Sequence, residues 1–327
     1  MSDLKSMYKN NVNIMEFFRK NSDDKNSNSI DAILTSYDLQ SGSYTDSYEA
    51  DKITDNFHIN GQRVSISTQK IKEKLGEFIA GLIDNYDYTS VLEAGVGEAT
   101  TMVPVVTKLK NQNAKLFGFD ISASRIKYAK QFCKKYYKGQ INFFVANLLN
   151  TPFADNKFDI VYTIHAIEPN TNNCEQIVKE LYRITNKYLI LYEPSYELGN
   201  KETKNNIEKN KYIRNLKNIV ENLNYKIVKY ELAPLGTYSN QPAIMIIEKQ
   251  QQRDTYIHTY IHTYIHTYIH TYIHTYIHTY DCPICKSGLH EVDGGYYCQN
   301  CYKLYPVIQD IPILTKENAI LFSKAEE

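Results

Sequence analysis

Residues 91–100 read VLEAGVGEAT: an apolar run reaching an acid at Glu93, a turn with glycine at positions 95 and 97, and a helix opening from Ala99. Glycine has no Cβ, so a ligand can lie against the backbone of such a turn. The helix start behind it offers N–H groups and a positive dipole end. The next apolar run, KLFGFD at 115–120, closes on Asp120, 23 residues after Gly97. A carboxylate there can accept both hydroxyls of a ribose, the logic of nucleotide sites on doubly wound sheets. Glu93, Gly95, Gly97 and Asp120 are thus candidates for holding a nucleotide.

Upstream, Ile71, Leu75, Phe78, Ile79, Leu82 and Ile83 fall on one helix face. Downstream, short apolar runs at 115–120, 141–146, 158–164 and 187–192 alternate with helical patterns at 99–110, 123–137, 174–185 and 202–222. That alternation predicts a parallel sheet with helices on both faces. The last two strands, 225–232 and 243–250, are joined through Pro234, Gly236 and Pro242 with no helix between. They can pair only as an antiparallel hairpin, because a parallel pair needs a long crossover. The fold class is α/β: a doubly wound, mostly parallel seven-stranded sheet with a terminal antiparallel hairpin.

Segment 90–250 resembles the class I S-adenosylmethionine-dependent methyltransferases. The pattern is carried by Glu93, Gly95 and Gly97, then Asp120, then VANLLNTPFADNKFDIV at 145–161. Two departures stand out. Ala99 replaces the third glycine of the family's turn, and Asn147 replaces the Asp that faces the adenine amine. The resemblance implies S-adenosylmethionine as cofactor, with Asn147 accepting that amine through its side-chain oxygen. A nicotinamide enzyme would need its third glycine at position 100, where this chain has Thr100.

Ligands of open α/β sheets lie outside the carboxyl ends of the strands. The fourth strand delivers His165 and Glu168 to that edge, and the fifth delivers Glu193. Methyl transfer from a sulfonium needs alignment and, for some acceptors, removal of a proton. His165 is the candidate base, its ordinary pKa lying near neutrality, and Glu168 the alternative. Both also read as lining of the cofactor pocket or as caps of the next helix.

Residues 1–60 are polar, with a flexible connector at 21–29 and a lid-like segment at 35–46 that offers Tyr37, Asp38, Gln40 and Tyr44. The catalytic domain is expected over 61–250. The spacer at 251–280 contains the pure repeat TYIHTYIH…, running from 255 to 280. The codons ACA-TAC-ATA-CAT would spell that unit from a tandem ACAT, so a slippage-prone, phase-variable tract is one expectation. Its histidines could also bind metal if helical.

The last domain, 281–327, holds two C-x-x-C pairs, Cys282/Cys285 and Cys298/Cys301, twelve residues apart. Four thiolates at that spacing predict one structural Zn²⁺ in a small ribbon. The ribbon resembles the activator subunit of tRNA and translation-factor methyltransferases. Cys133 and Cys174 read as buried hydrophobes.

Lys and Arg total 37, as do Asp and Glu, so the chain has no basic footprint for nucleic acid or an anionic membrane. No 18-residue apolar run occurs, and the expected location is the cytoplasm. The expected acceptor is a small molecule or glycan precursor. RNA, guided by the ribbon, and a non-catalytic cofactor-binding scaffold are the alternatives.

Overall fold

The computed structural model describes residues 2–250 and 278–323. Four short helices come first: α1 (Ser2–Lys9), α2 (Ile14–Lys20), α3 (Ile30–Leu39) and α4 (Ser43–Glu49). A hairpin of β1 (Ile53–Ile59) and β2 (Gln62–Ser67) leads into α5 (Thr68–Ile83). Strand and helix then alternate through β3 (Ser90–Ala94), α6 (Met102–Lys108), β4 (Lys115–Asp120), α7 (Ala123–Tyr136), β5 (Asn142–Val145), β6 (Phe158–Ile164), α8 (Cys174–Ile184) and β7 (Thr185–Pro194). Next come α9 (Lys201–Asn210), α10 (Leu216–Asn222), β8 (Lys226–Leu232), β9 (Leu235–Thr237) and β10 (Pro242–Glu248). The C-terminal module holds β11 (His290–Val292), β12 (Gly295–Cys298), β13 (Lys303–Ile308), β14 (Ile311–Pro312) and β15 (Ile320–Leu321).

Seven strands make one sheet in the order β5-β4-β3-β6-β7-β10-β8. Strands β5 to β7 of this order are parallel, and β10 runs antiparallel to both its neighbours. The predicted architecture is therefore present. Alternate side chains feed the two faces: Ile190 and Tyr192 of β7 join α5, α6 and α7, while Leu189 and Leu191 join α8 and α10. Strand order reverses on either side of β3, which opens the ligand crevice above its carboxyl end.

Several local features differ from the sequence expectation. The β1–β2 hairpin, with β9 on its far side, forms a second small sheet. Its turn is Asn60–Gly61, both at positive φ, so the expected boundary at residue 60 falls inside a hairpin. The helix expected at 202–222 breaks at Lys211, which is left-handed at φ 58° and ends α9. The connector at 21–29 is pinned. Asn28, 3% exposed, accepts from Arg19 at 2.6 Å and donates to the Pro169 carbonyl at 3.2 Å.

Repeat residues up to 277 lie outside the described residues, so neither their helicity nor their metal binding is at issue here. The end of the repeat is within them, and it does not act as a loose spacer. Tyr280 is 4% exposed and packs its ring 5.2 Å from Phe144 and 5.1 Å from Tyr296. The module behind it extends the main sheet: Ile313 bridges Val145 in parallel register, and the Leu314 N–H donates to the Val145 carbonyl at 2.8 Å. Asp281 adds bonds to the Pro152 carbonyl and the Ala154 N–H. This one bridge satisfies the outer edge of β5 at Val145, where an unpaired edge would expose its backbone groups. Among the described residues no helix is long and apolar enough to cross a membrane.

Removing the Tyr280 ring leaves a cavity between module and domain. Tyr280→Ala should cost about 3 kcal/mol of unfolding free energy, read by urea denaturation. An unchanged midpoint would contradict the shared core.

Candidate active site

The glycine turn is built by sterics. Gly95, at φ 79°, has no room for a side chain, because an added Cβ would lie 2.3 Å from the Ala166 methyl. The N–H groups of Gly95 and Val96 donate to the Phe119 carbonyl at 2.9 and 2.8 Å, tying the turn to β4. Asp120 completes the tie. Its Oδ2 accepts the Gly97 N–H at 3.0 Å, and its Oδ1 the Ser122 N–H at 2.9 Å. Burial raises its pKa, against the charge of Arg125 and these donors. Ala99 fits the turn in the left-handed region at φ 57°, and so α6 starts only at Met102.

Glu93 lies beneath the turn, accepting the Tyr162 hydroxyl at 2.6 Å. Burial pushes its pKa up to about 8, opposed by Tyr162 and by the charge of Lys72. Lys72, on α5, is itself pushed down to about 8 by burial and donates to Thr101 Oγ1 at 2.7 Å. Asn147 also lines the cleft. Its oxygen, expected to accept an adenine amine, accepts the Leu149 N–H at 3.0 Å and keeps one lone pair for a ligand.

Across the cleft, the exit of β6 turns sharply at His165, left-handed at φ 55°. His165 Nδ1 lies 3.2 Å from Glu168 Oε2, and Asn240 donates to the same oxygen at 3.0 Å. Burial alone would lower the His165 pKa. The hydrogen bond and charge of Glu168, with the charge of Glu193 behind, overturn this and hold it above the usual imidazole value. Glu193 is pushed up to about 7, chiefly by burial.

The lid-like segment is latched over the cleft by Glu98 of the turn and by Ser122 and Arg125 beyond it. Glu98 accepts the Gly42 N–H at 2.9 Å and the Thr45 N–H and hydroxyl, each at 2.7 Å. Arg125 lies over the Tyr37 and Tyr44 rings and donates to Gln40 at 2.7 Å. Asp38 accepts the Ser122 hydroxyl at 2.6 Å. Tyr37 and Tyr44 therefore face the cleft, whereas Asp38 and Gln40 serve as anchors.

Glu93, Gly95, Gly97, Asp120, Asn147, His165 and Glu168 come together around one cleft of ≈ 280 Å³. Lys72, Glu98, Arg125 and Asn240 share it without having been singled out in the sequence. The four cysteines form a separate group. The Sγ atoms of Cys282, Cys285, Cys298 and Cys301 all lie within 4.8 Å of one another, with Tyr305 Oη 3.2 Å from Cys282 Sγ.

The methyltransferase-domain family matches residues 91–187, the segment that supplies all seven candidates. The chain carries a methyltransferase domain over that segment. Over 105 residues it is 26% identical to O-methyltransferase rstn1 of Aspergillus nomiae, which covers 32% of this chain and 44% of that protein. The chain thus spans less than half the length of that relative. A 48-residue stretch, 14% of this chain, is 40% identical to a UPF0434 protein of Nitrosococcus oceani and covers 81% of it, so that stretch belongs with the UPF0434 proteins. Among solved structures the 4+2 cyclase SpnF has the same fold, with TM-score 0.54 and 13% identity over 68% of this chain and 97% of that one. A cyclase on this fold shows that the reaction must be argued from the site.

In the methyltransferase domain the Gly95–Ala166 contact admits no extra atom. Gly95→Ala should abolish donor binding while the far-ultraviolet circular dichroism spectrum stays native. Retained affinity would contradict the packing.

Proposed function

We propose that the chain transfers a methyl group from S-adenosylmethionine to a small-molecule acceptor, a glycan-precursor hydroxyl being one member of that class. The observation that carries this reading is the convergence of seven candidate residues, from the ends of four strands, on one cleft. When bound, the cofactor supplies an electrophilic methyl group on a sulfonium. The residues present suit it. Asp120 offers acceptor lone pairs toward sugar hydroxyls, Glu93 and Lys72 offer a buried carboxyl and a buried amine below the glycine turn, and Asn147 offers an amide.

The acceptor side falls to His165 and Glu168. A proton on Nδ1 is held by the Glu168 carboxylate, which leaves Nε2 to take the proton of an acceptor hydroxyl or amine. Glu168 then stabilises the imidazolium that results. The cleft is covered by α3 and α4, which supports an acceptor of limited size. The equality of positive and negative residues, 37 each, supports it over a polyanion. The name of the Aspergillus relative supports oxygen as the methylated atom.

Cys282, Cys285, Cys298 and Cys301 hold one structural zinc ion in this reading. A tetrahedral Zn–S₄ site sets its sulfurs ~3.8 Å apart, a spacing that the observed group accommodates with little movement. Four protein ligands leave no open position, so the ion would fold the module rather than act on substrate. Metal analysis should return one zinc per chain, and none would contradict the site.

Incubation with labelled donor should transfer label to the low-mass fraction of a cell extract. Label in RNA would favour the RNA reading, and donor binding with no transfer the scaffold reading. With an acceptor in hand, the acid limb of kcat/KM should lie above pH 6.5, because the base form of His165 is lost as pH falls through its raised pKa. In Glu168→Gln the limb should move to lower pH, since burial then acts without the opposing carboxylate. A limb that stays in place would remove His165 from the base role.

A further inference from the structure

The turn that carries His165 and Glu168 has an acceptor at its centre. Glu193, near the end of β7, is 3% exposed. Its Oε1 accepts the Ala166 N–H at 3.0 Å, and its Oε2 accepts the N–H groups of Ile167 at 3.2 Å and Glu168 at 3.3 Å. Three consecutive N–H groups converge on one carboxylate because His165 adopts a left-handed backbone, which folds the next residues into an anion-binding concavity. The same turn is bounded on its other sides. Ala166 abuts Gly95, the His165 N–H donates to the Tyr192 carbonyl at 3.0 Å, and the Glu168 carbonyl accepts the Ile213 N–H at 3.1 Å.

We infer that Glu193 is a positioning residue, whose carboxylate holds the 165–168 turn in the one conformation that aims His165 and Glu168 into the cleft. It acts through them and contacts neither donor nor acceptor. A left-handed histidine is an unfavourable backbone state for a residue with a Cβ, and it persists only where the surroundings over-determine it. The three N–H bonds supply that determination. This inference rests on the reading of His165 and Glu168 as the acid–base pair, so its test needs a readout that does not depend on turnover.

Glu193→Gln keeps the shape of the side chain but offers one acceptor atom instead of two, and turns an NH₂ group toward N–H donors. Hydrogen exchange of the Ala166, Ile167 and Glu168 amides should accelerate in this variant, while the amides of β3 and β4 keep their protection. Turnover should fall on the order of 100-fold, the loss expected for reacting groups misplaced by about 1 Å, with donor affinity essentially unchanged. The double variant Glu193→Gln/His165→Ala should be no slower than His165→Ala alone, because both changes remove one unit. Glu193→Asp, which keeps the charge one methylene further back, should recover part of the turnover. Native exchange at 166–168 in Glu193→Gln would overturn the inference. So would accelerated exchange throughout the sheet in both Glu193 variants, which would mark a general packing role. Full activity in His165→Ala would instead overturn the acid–base reading, and the exchange result alone would then decide the clamp.

Discussion

Gly95 lacks a Cβ, and the Ala166 methyl lies only 2.3 Å from where one would be. That contact sets the distance between the two halves of the cleft. On one side is the turn pinned by Asp120 and Phe119. On the other is the turn that presents His165 and Glu168. Both leave the sheet at adjacent strands, β3 and β6, where strand order reverses, so the fold already directs them to the same edge. Direction alone does not set their separation. The close approach that a residue without a Cβ allows does so, and buried carboxylates on both turns fix the rest. Glu93, Asp120 and Glu193 are all raised by burial, and each is held by hydrogen bonds from the backbone or a hydroxyl. The cleft is therefore assembled from acids whose cost of burial is offset locally.

The C-terminal module is part of this assembly rather than an appendage. Ile311 and Ile313 join the core on one face of the sheet, and Tyr280, Leu289, Tyr305 and Leu314 join the other. Its parallel bridge lands on Val145, two residues before Asn147 at the cleft. The cysteine group lies elsewhere, where four thiols and Tyr305 gather in the module that meets the end of β5. Stability at the edge of the sheet and order at the cleft wall are thus linked through one short strand.

Much of this was legible in the chain. Alternating apolar runs and helical patterns dictated the sheet, and the missing helix between the last two strands dictated its antiparallel end. The glycine turn, Asp120, His165 and Glu168 were readable because strand ends define where a ligand lies. Lys72 was not, since a lysine on an amphipathic helix reads as solvated, and only tertiary packing turns it inward beside Glu93. Glu98 stood inside the decisive motif, but its partners, Gly42 and Thr45, are more than fifty residues upstream. The β1–β2 hairpin carries a local signal: Asn60–Gly61 is the dipeptide that favours a two-residue turn with positive φ at both positions. The left-handed state of His165 and the grip of Glu193 depend on contacts between strands, which no local pattern encodes.

The proposed methyl transfer requires a nucleoside-bearing donor seated on the glycine turn and held by the acid that ends β4. Calorimetric titration of S-adenosylmethionine, or its demethylated product, into the wild-type chain and Asp120→Ala addresses this directly. The expected result is saturable binding to the wild type and at least about tenfold weaker binding to the variant, the loss of hydrogen bonds to a charged group. Equal affinities, or no binding to either, would contradict it.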